Sequence, residues 1–164
     1  MDRIKLTWGL LVMLALTGVA GGWWYWRQDS DEERIRWAMA EGRAAIEAED
    51  LDRVMACVST DYRDERGWTS LIVKRLLRDA FAQFDDFRVE MSAPRIEILD
   101  RDVPKAEVSF DLRLSVRLAG QKGLLVGSLN EPAHVQFTLT QESRRWLVTD
   151  VKGVRPGADR KSVV

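Results

Sequence analysis

From Lys105 to Leu118 the chain alternates without a break for fourteen residues. Ala106, Val108, Phe110, Leu112, Leu114, Val116 and Leu118 fall on one side. Lys105, Glu107, Ser109, Asp111, Arg113, Ser115 and Arg117 fall on the other. Period-two alternation is the signature of a strand with one buried and one wet face, which in practice means an antiparallel sheet covered on one side only. Shorter stretches repeat the pattern. Phe87, Val89 and Met91 alternate with Arg88 and Glu90, and Ile96 and Ile98 follow Pro94. Leu124 to Leu129, Ala133 to Glu142 and Arg145 to Val151 read as three more strands. Ala119 to Gly123 and Glu142-Ser143-Arg144 supply the hairpin turns, and the whole half reads as a meander.

Helices come first. Ser30-Asp31-Glu32-Glu33 is a capping box, and Ile35, Ala38, Met39, Gly42, Ala45 and Ile46 recur at helical spacing up to about Ala48. Asp50 caps a short second helix carrying Leu51, Val54, Met55 and Val58. Asp61 to Gly67 is a polar turn. A third helix starts near Thr69, where Trp68 is placed to staple onto Val73, and its expected buried stripe is Ile72, Val73, Leu76, Leu77, Ala80, Phe81 and Phe84. Three helices followed by one-faced strands give an α+β domain: three N-terminal helices packed on a curved antiparallel sheet, the twist wrapping it into a cone.

This order resembles the nuclear transport factor 2-like, or SnoaL-like, cone-fold superfamily. The long capped helix from Ser30, the Asp61-Tyr62-Arg63-Asp64-Glu65-Arg66-Gly67 turn, the helix to Phe84, the strand from Lys105 and the Glu142-to-Val148 hairpin carry the likeness, over about Asp31 to Lys152. The resemblance implies a pocket between helices and concave face, and frequent homodimers. It implies no single activity, because isomerases, dehydratases, transport adaptors and binding domains share this fold.

Ahead of the domain lies a different kind of sequence. Leu6 to Trp26 is an uncharged run of 21 residues bracketed by Lys5 and Arg27. As a helix it would span roughly 31 Å, about the hydrocarbon thickness of a bilayer. Trp23, Trp24, Tyr25 and Trp26 at its end suit the headgroup zone. Arg3 and Lys5 on one side, against Asp29, Asp31, Glu32 and Glu33 on the other, put the N-terminus in the cytoplasm. Residues 1–29 are thus expected to be a single-pass plasma-membrane anchor, spanning 6–26. Residues 30–153 form an extracytoplasmic, periplasmic-type domain and 154–164 a basic tail. Cleavage as a signal peptide after Gly18-Val19-Ala20 is the rival, and it would leave the aromatic cluster bare at a new N-terminus. Gly18 and Gly22 form a G-x-x-x-G pair, a spacing more often due to the abundance of small residues in such segments than to dimerisation.

Chemistry is sparse. One Cys and one His exclude an intrachain disulfide framework and a Cys/His zinc site, and a net charge of −1 gives no case for nucleic acid. No phosphate-loop, dinucleotide, zinc-protease or nucleophile-elbow string occurs. His134 shares its strand face with Gln136, Thr138 and Thr140, opposite Val135, Phe137 and Leu139, which points it outward with Asp111 and Arg113. Asp85-Asp86 and Asp100/Asp102 sit at element ends as turn residues, and Cys57 lies among apolar neighbours as an inert thiol. No catalytic residue, cofactor or metal is expected. The candidate ligand-binding residues are the rings Trp37, Tyr62, Trp68, Phe81, Phe110 and Trp146, which either line an apolar, uncharged pocket or fill it and pack it shut. The mixed-sign convex face allows only a polar homodimer. The expected role is a membrane-anchored, non-catalytic domain for protein interaction or apolar ligand binding. An isomerase, dehydratase or hydrolase acting in the cone is the alternative.

Overall fold

A computed structural model describes residues 30–100, 102–128 and 130–154. The anchor expected over 6–26 lies outside them; among the described residues no helix is long and apolar enough to cross a membrane. The elements are α1 (Asp31–Glu47), α2 (Leu51–Met55), α3 (Ser70–Gln83), β1 (Asp85–Met91), β2 (Arg95–Asp100), β3 (Lys105–Leu118), β4 (Gln121–Val126), β5 (Ala133–Glu142) and β6 (Arg145–Lys152).

The capping box closes as its sequence requires. Glu33 N donates to Ser30 Oγ at 3.3 Å and Ser30 N donates to Glu33 Oε2 at 3.2 Å. Asp50 caps α2, its carboxylate accepting from Arg53 N at 3.0 Å.

The sheet is built on β3 rather than as a meander. Its order is β1-β3-β5-β6, with β2 and β4 also pairing to β3. Fourteen residues are long enough to serve two partners on each edge. The first half lies between β2 and β5, the second between β1 and β4. Four register irregularities interrupt the ladders, at Asp85/Arg88, Ile98/Asp100, Leu114/Ser115 and Thr138/Leu139. Each extra residue bends the strand that carries it, so the sheet curves. Strand β4 begins three residues before Leu124 because the β3–β4 turn is only two residues. Ala119 (φ 49) and Gly120 (φ 84) both take the left-handed conformation, which matches strand twist in a tight hairpin.

One face carries the core. Ala106, Val108 and Phe110 from β3, Val135 and Leu139 from β5 and Trp146 from β6 pack with Ile35 and Met39 of α1. Helix α1 crosses this face and is pinned by polar contacts at both ends. At its start Arg34 donates to the Arg144 carbonyl in the β5–β6 turn. At its end Glu47 accepts from Val89 N at 3.1 Å, and Glu49 just beyond it accepts from Asp86 N at 3.0 Å, both on β1. The helix therefore runs from the β6 side of the sheet to the β1 side.

Beyond β6 the segment Cys57–Arg63 covers the open edge. Ser59 N donates to Val148 O at 2.9 Å, Val148 N to Cys57 O at 2.9 Å and Arg63 N to Thr149 O at 3.0 Å. These bonds occupy an edge that would otherwise template aggregation. Gly153 (φ 82) passes so close to β5 that a Cβ there would lie 2.2 Å from the His134 carbonyl oxygen, so only glycine fits. Val154, the first residue of the expected tail, still packs against the core cluster.

The expected stripe on α3 is corrected. No residue of α3 is buried, and Ile72 and Leu76 are exposed together with Leu71. Val73, Leu77, Ala80 and Phe81 are the half-buried set. Residues 72 and 76 lie four apart on the flank of the helix, and its neighbours, α2 and the Phe87 end of β1, reach only one side.

Truncating a core side chain separates the two classes of apolar residue. Leu139→Ala should destabilise the domain by about 2–5 kcal/mol, while Leu71→Ala on α3 should stay within about 0.5 kcal/mol, in denaturant unfolding of the two variants.

Candidate functional site

The two faces of the sheet hold different chemistry. On the face away from the core, Asp111 and His134 are direct cross-strand partners, with His134 Nδ1 3.0 Å from Asp111 Oδ1. Their side chains are 52% and 72% exposed. The chain's one imidazole thus stands in water beside a carboxylate, where parity along β5 places it. Arg113–Glu90 at 3.3 Å and Gln136–Glu107 at 2.6 Å continue this polar surface. Exposed pairs of this kind contribute little stability.

The six expected ring residues do not share one lining. Phe110 and Trp146 lie in the core cluster on the concave face, and Phe110 packs edge-on against Phe137 at 5.0 Å. Phe81 makes a separate edge-on contact with Phe87, also at 5.0 Å. Tyr62 and Trp68 belong to the loop beside β6. Trp37 is 66% exposed on α1 and joins none of them.

The Tyr62 loop is organised by Asp64, whose Oδ1 accepts from Arg66 N at 3.0 Å and Trp68 N at 2.8 Å. This is turn chemistry: a short carboxylate closing its own backbone. The Arg66 guanidinium lies 5.0 Å from the Trp68 ring centroid. Tyr62 itself is buried. Burial first, then the Asp64 and Asp150 carboxylates, push its phenol up to about 12, against an opposing pull from Arg66. It is a proton donor rather than a base at neutral pH. Asp150 was not singled out from sequence. It reaches the outer-face row of Thr138 because a one-residue bulge at Thr149 shifts the register, and its Oδ1 is buried without a partner.

Other candidates resolve into structural roles. Asp86 is held by Arg88 at 3.0 Å and Arg117 at 3.3 Å, and Asp100 accepts from Asp102 N at 2.9 Å. The Cys57 thiol is pushed up, mainly by burial, and donates to Arg53 O at 3.5 Å. A raised thiol is a poor nucleophile at neutral pH. Among the described residues no three His, Cys, Asp or Glu side chains converge as metal ligands.

At the α1 start, the Gln141 amide oxygen accepts from Arg34 Nη1 at 3.0 Å and Nη2 at 3.3 Å in the amide orientation that satisfies both groups. Gln141 pairs across the strands with Trp146, so both face the concave side. Neither Gln141 nor Arg34 is singled out by the sequence, and they stand 107 positions apart.

No protein-family model matches the sequence, and no curated protein matches it. Solved structures are similar in fold. A proposed scytalone dehydratase from Novosphingobium aromaticivorans superposes with TM-score 0.62 at 14% identity, covering 74% of this chain and 80% of its own. A proposed dehydratase of the nuclear transport factor 2-like family from Streptomyces avermitilis gives 0.61 at 13% identity, covering 75% and 94%. A protein from Catenulispora acidiphila, solved in complex with S-DNPA, gives 0.58 at 13% identity, covering 76% and 92%. This chain therefore has the cone fold of the nuclear transport factor 2-like, SnoaL-like domains.

Proposed function

We propose that this chain is a non-catalytic binding domain whose concave face takes an apolar molecule or protein segment, held at the extracytoplasmic surface of the plasma membrane by residues 6–26. The observation that carries the reading is the division of the sheet. The chain's single imidazole and its Asp111 partner stand exposed on the outer face. The core on the concave face is built from Ile35, Met39, Phe110, Val135, Leu139 and Trp146, with the Arg34–Gln141 pair beside it at the start of α1. General acid–base work needs a titratable group within hydrogen-bond reach of a sheltered substrate. Apolar burial with few polar contacts is what a small-molecule or peptide site needs. The fold neighbour solved with S-DNPA supports a ligand role for this architecture. The uncharged run 6–26 and the basic residues before it support the location. A homodimer would use the charged outer face and be weak.

One observation favours the enzymatic alternative. Tyr62, buried and protonated, lies near the Asp150 carboxylate, and two fold neighbours are described as dehydratases. Turnover of a small molecule that is lost in Tyr62→Phe and Asp150→Asn would replace the binding reading with this one.

Membrane fractionation with protease added from either side tests the location. The chain should stay in the membrane fraction, and its folded domain should be cut only from the extracytoplasmic side. Cleavage from the cytoplasmic side, or a soluble chain, contradicts the anchor.

Tyr62 gives a second check. Its folded pKa lies above the unfolded value of about 10, so the stability it contributes is complete below pH 10 and is lost as pH rises through about 12. Alkaline unfolding curves between those values should be steeper for the native chain than for Tyr62→Phe.

A further inference from the structure

Seven large apolar side chains are exposed among the described residues, and three of them, Leu71, Ile72 and Leu76, fall within six positions of helix α3. Leu71 is 77% exposed. The helix sits on the domain by one side only. None of its residues is buried, and Val73, Leu77, Ala80 and Phe81 are half-covered. Two lines of side chains run along the other side. Leu71, Arg75 and Arg78 stand at i, i+4 and i+7, with Ile72 and Leu76 at i and i+4 beside them. Apolar residues exposed singly are ordinary, but a cluster of them marks a contact surface.

A second observation is the charge of the same surface. Several exposed cations elsewhere in the domain meet carboxylates: Arg53 with Glu41 at 2.8 Å, Arg113 with Glu90 at 3.3 Å and Arg117 with Asp86 at 3.3 Å. On α3 the cations Lys74, Arg75 and Arg78 outnumber the single acid, Asp79. Arg75 and Arg78 are exposed and make no ion pair among the described residues. Lys74 reaches Asp52 at 3.8 Å, a loose pair whose acid is 92% exposed. The uncovered apolar side chains are therefore interleaved with positive charge that the domain does not neutralise.

We propose that α3 is a membrane-contact element: Leu71, Ile72 and Leu76 enter the interfacial zone of a bilayer that carries anionic phospholipids, and Arg75 and Arg78 meet the phosphate groups. Interfacial helices combine exposed apolar side chains with Lys and Arg in this way. Arginine suits the contact because its stem lies along apolar surface while its guanidinium pairs with phosphate. This rests on reading residues 6–26 as an anchor, and adds which face of the domain meets the bilayer. The tether decides between a membrane and a free protein partner. Three apolar side chains fall short of the roughly 1,000 Å² that a specific protein interface buries. A surface to which the chain is already tied needs much less, because the second contact is intramolecular.

The test places one NBD fluorophore on the full chain, in a Cys57→Ser background, at Leu71→Cys or at Glu97→Cys. Glu97 is exposed on β2, which pairs with the half of β3 away from the Phe87 end of β1 that α3 touches. The chain is reconstituted in phosphatidylcholine vesicles with or without phosphatidylglycerol, each carrying doxyl-labelled lipid that quenches a probe in the bilayer. Flotation reports whether the chain is in the membrane. The Leu71→Cys probe should be quenched in anionic vesicles and the Glu97→Cys probe should not. Each cation beside an anionic surface favours contact about fivefold. Neutral vesicles, about 1 M salt, or Arg75→Glu with Arg78→Glu should therefore bring the first probe down to the level of the second, with flotation unchanged. Quenching that survives both the neutral vesicles and the charge reversal overturns the anionic contact, as does equal quenching of the two probes. Flotation without quenching of the Leu71→Cys probe overturns the proposal and leaves the anchor standing. If unlabelled Leu71→Cys chains then form a disulfide with one another, the face is a contact between copies instead. A chain that does not float removes the anchor and this contact with it.

Discussion

Two-residue alternation along β3 and β5 is the constraint on which the rest of the structure depends. Side chains on a strand point alternately to opposite faces, so a strict pattern leaves no freedom about which residues meet the helix. Val108, Phe110, Val135 and Leu139 are driven to the concave side together, and Asp111 and His134 are sent to the other side by the same rule. A slip of one residue would bury a carboxylate and an imidazole and expose the core. The apolar character of the inner face and the polar pairing on the outer face are one fact seen twice.

Helix α1 converts that sheet face into an enclosed surface. Its attachments are polar and terminal: Arg34 to the β5–β6 turn, Glu47 and Glu49 to β1. Between the ends Ile35 and Met39 pack against the sheet. The covering of the β6 edge by Cys57–Arg63 and the glycine-only passage of Gly153 against His134 seal the other side. The Tyr62 loop belongs to that seal, with Tyr62 buried and the Asp64 carboxylate closing the turn beside β6.

Much of this was legible before any coordinates. The Ser30–Glu33 box, the Asp50 cap and the bounds of β3 and β5 follow from local chemistry that tertiary contacts do not override. The outward placement of His134 follows from counting by twos. Other features depend on partners that a linear pattern does not name. Ile72 and Leu76 look like core because they are apolar at helical spacing, yet among the described residues nothing covers them and both are exposed. The start of β4 depends on two residues adopting positive φ, one of them an alanine. The bulge at Thr149 that brings Asp150 beside Tyr62, and the meeting of Arg34 with Gln141, arise only when distant segments are laid together. The six rings were grouped by type, and the fold distributes them over four places.

The central claim is that the apolar face of the sheet covered by α1, and not the outer face carrying Asp111 and His134, is the working surface. An NMR titration of the protein with an apolar probe such as 2-ethylnaphthalene tests it most directly. The Met39 and Leu139 methyl resonances should shift and saturate while the His134 ring resonances stay in place. Saturating shifts at His134 with none at Met39 or Leu139 would contradict the account.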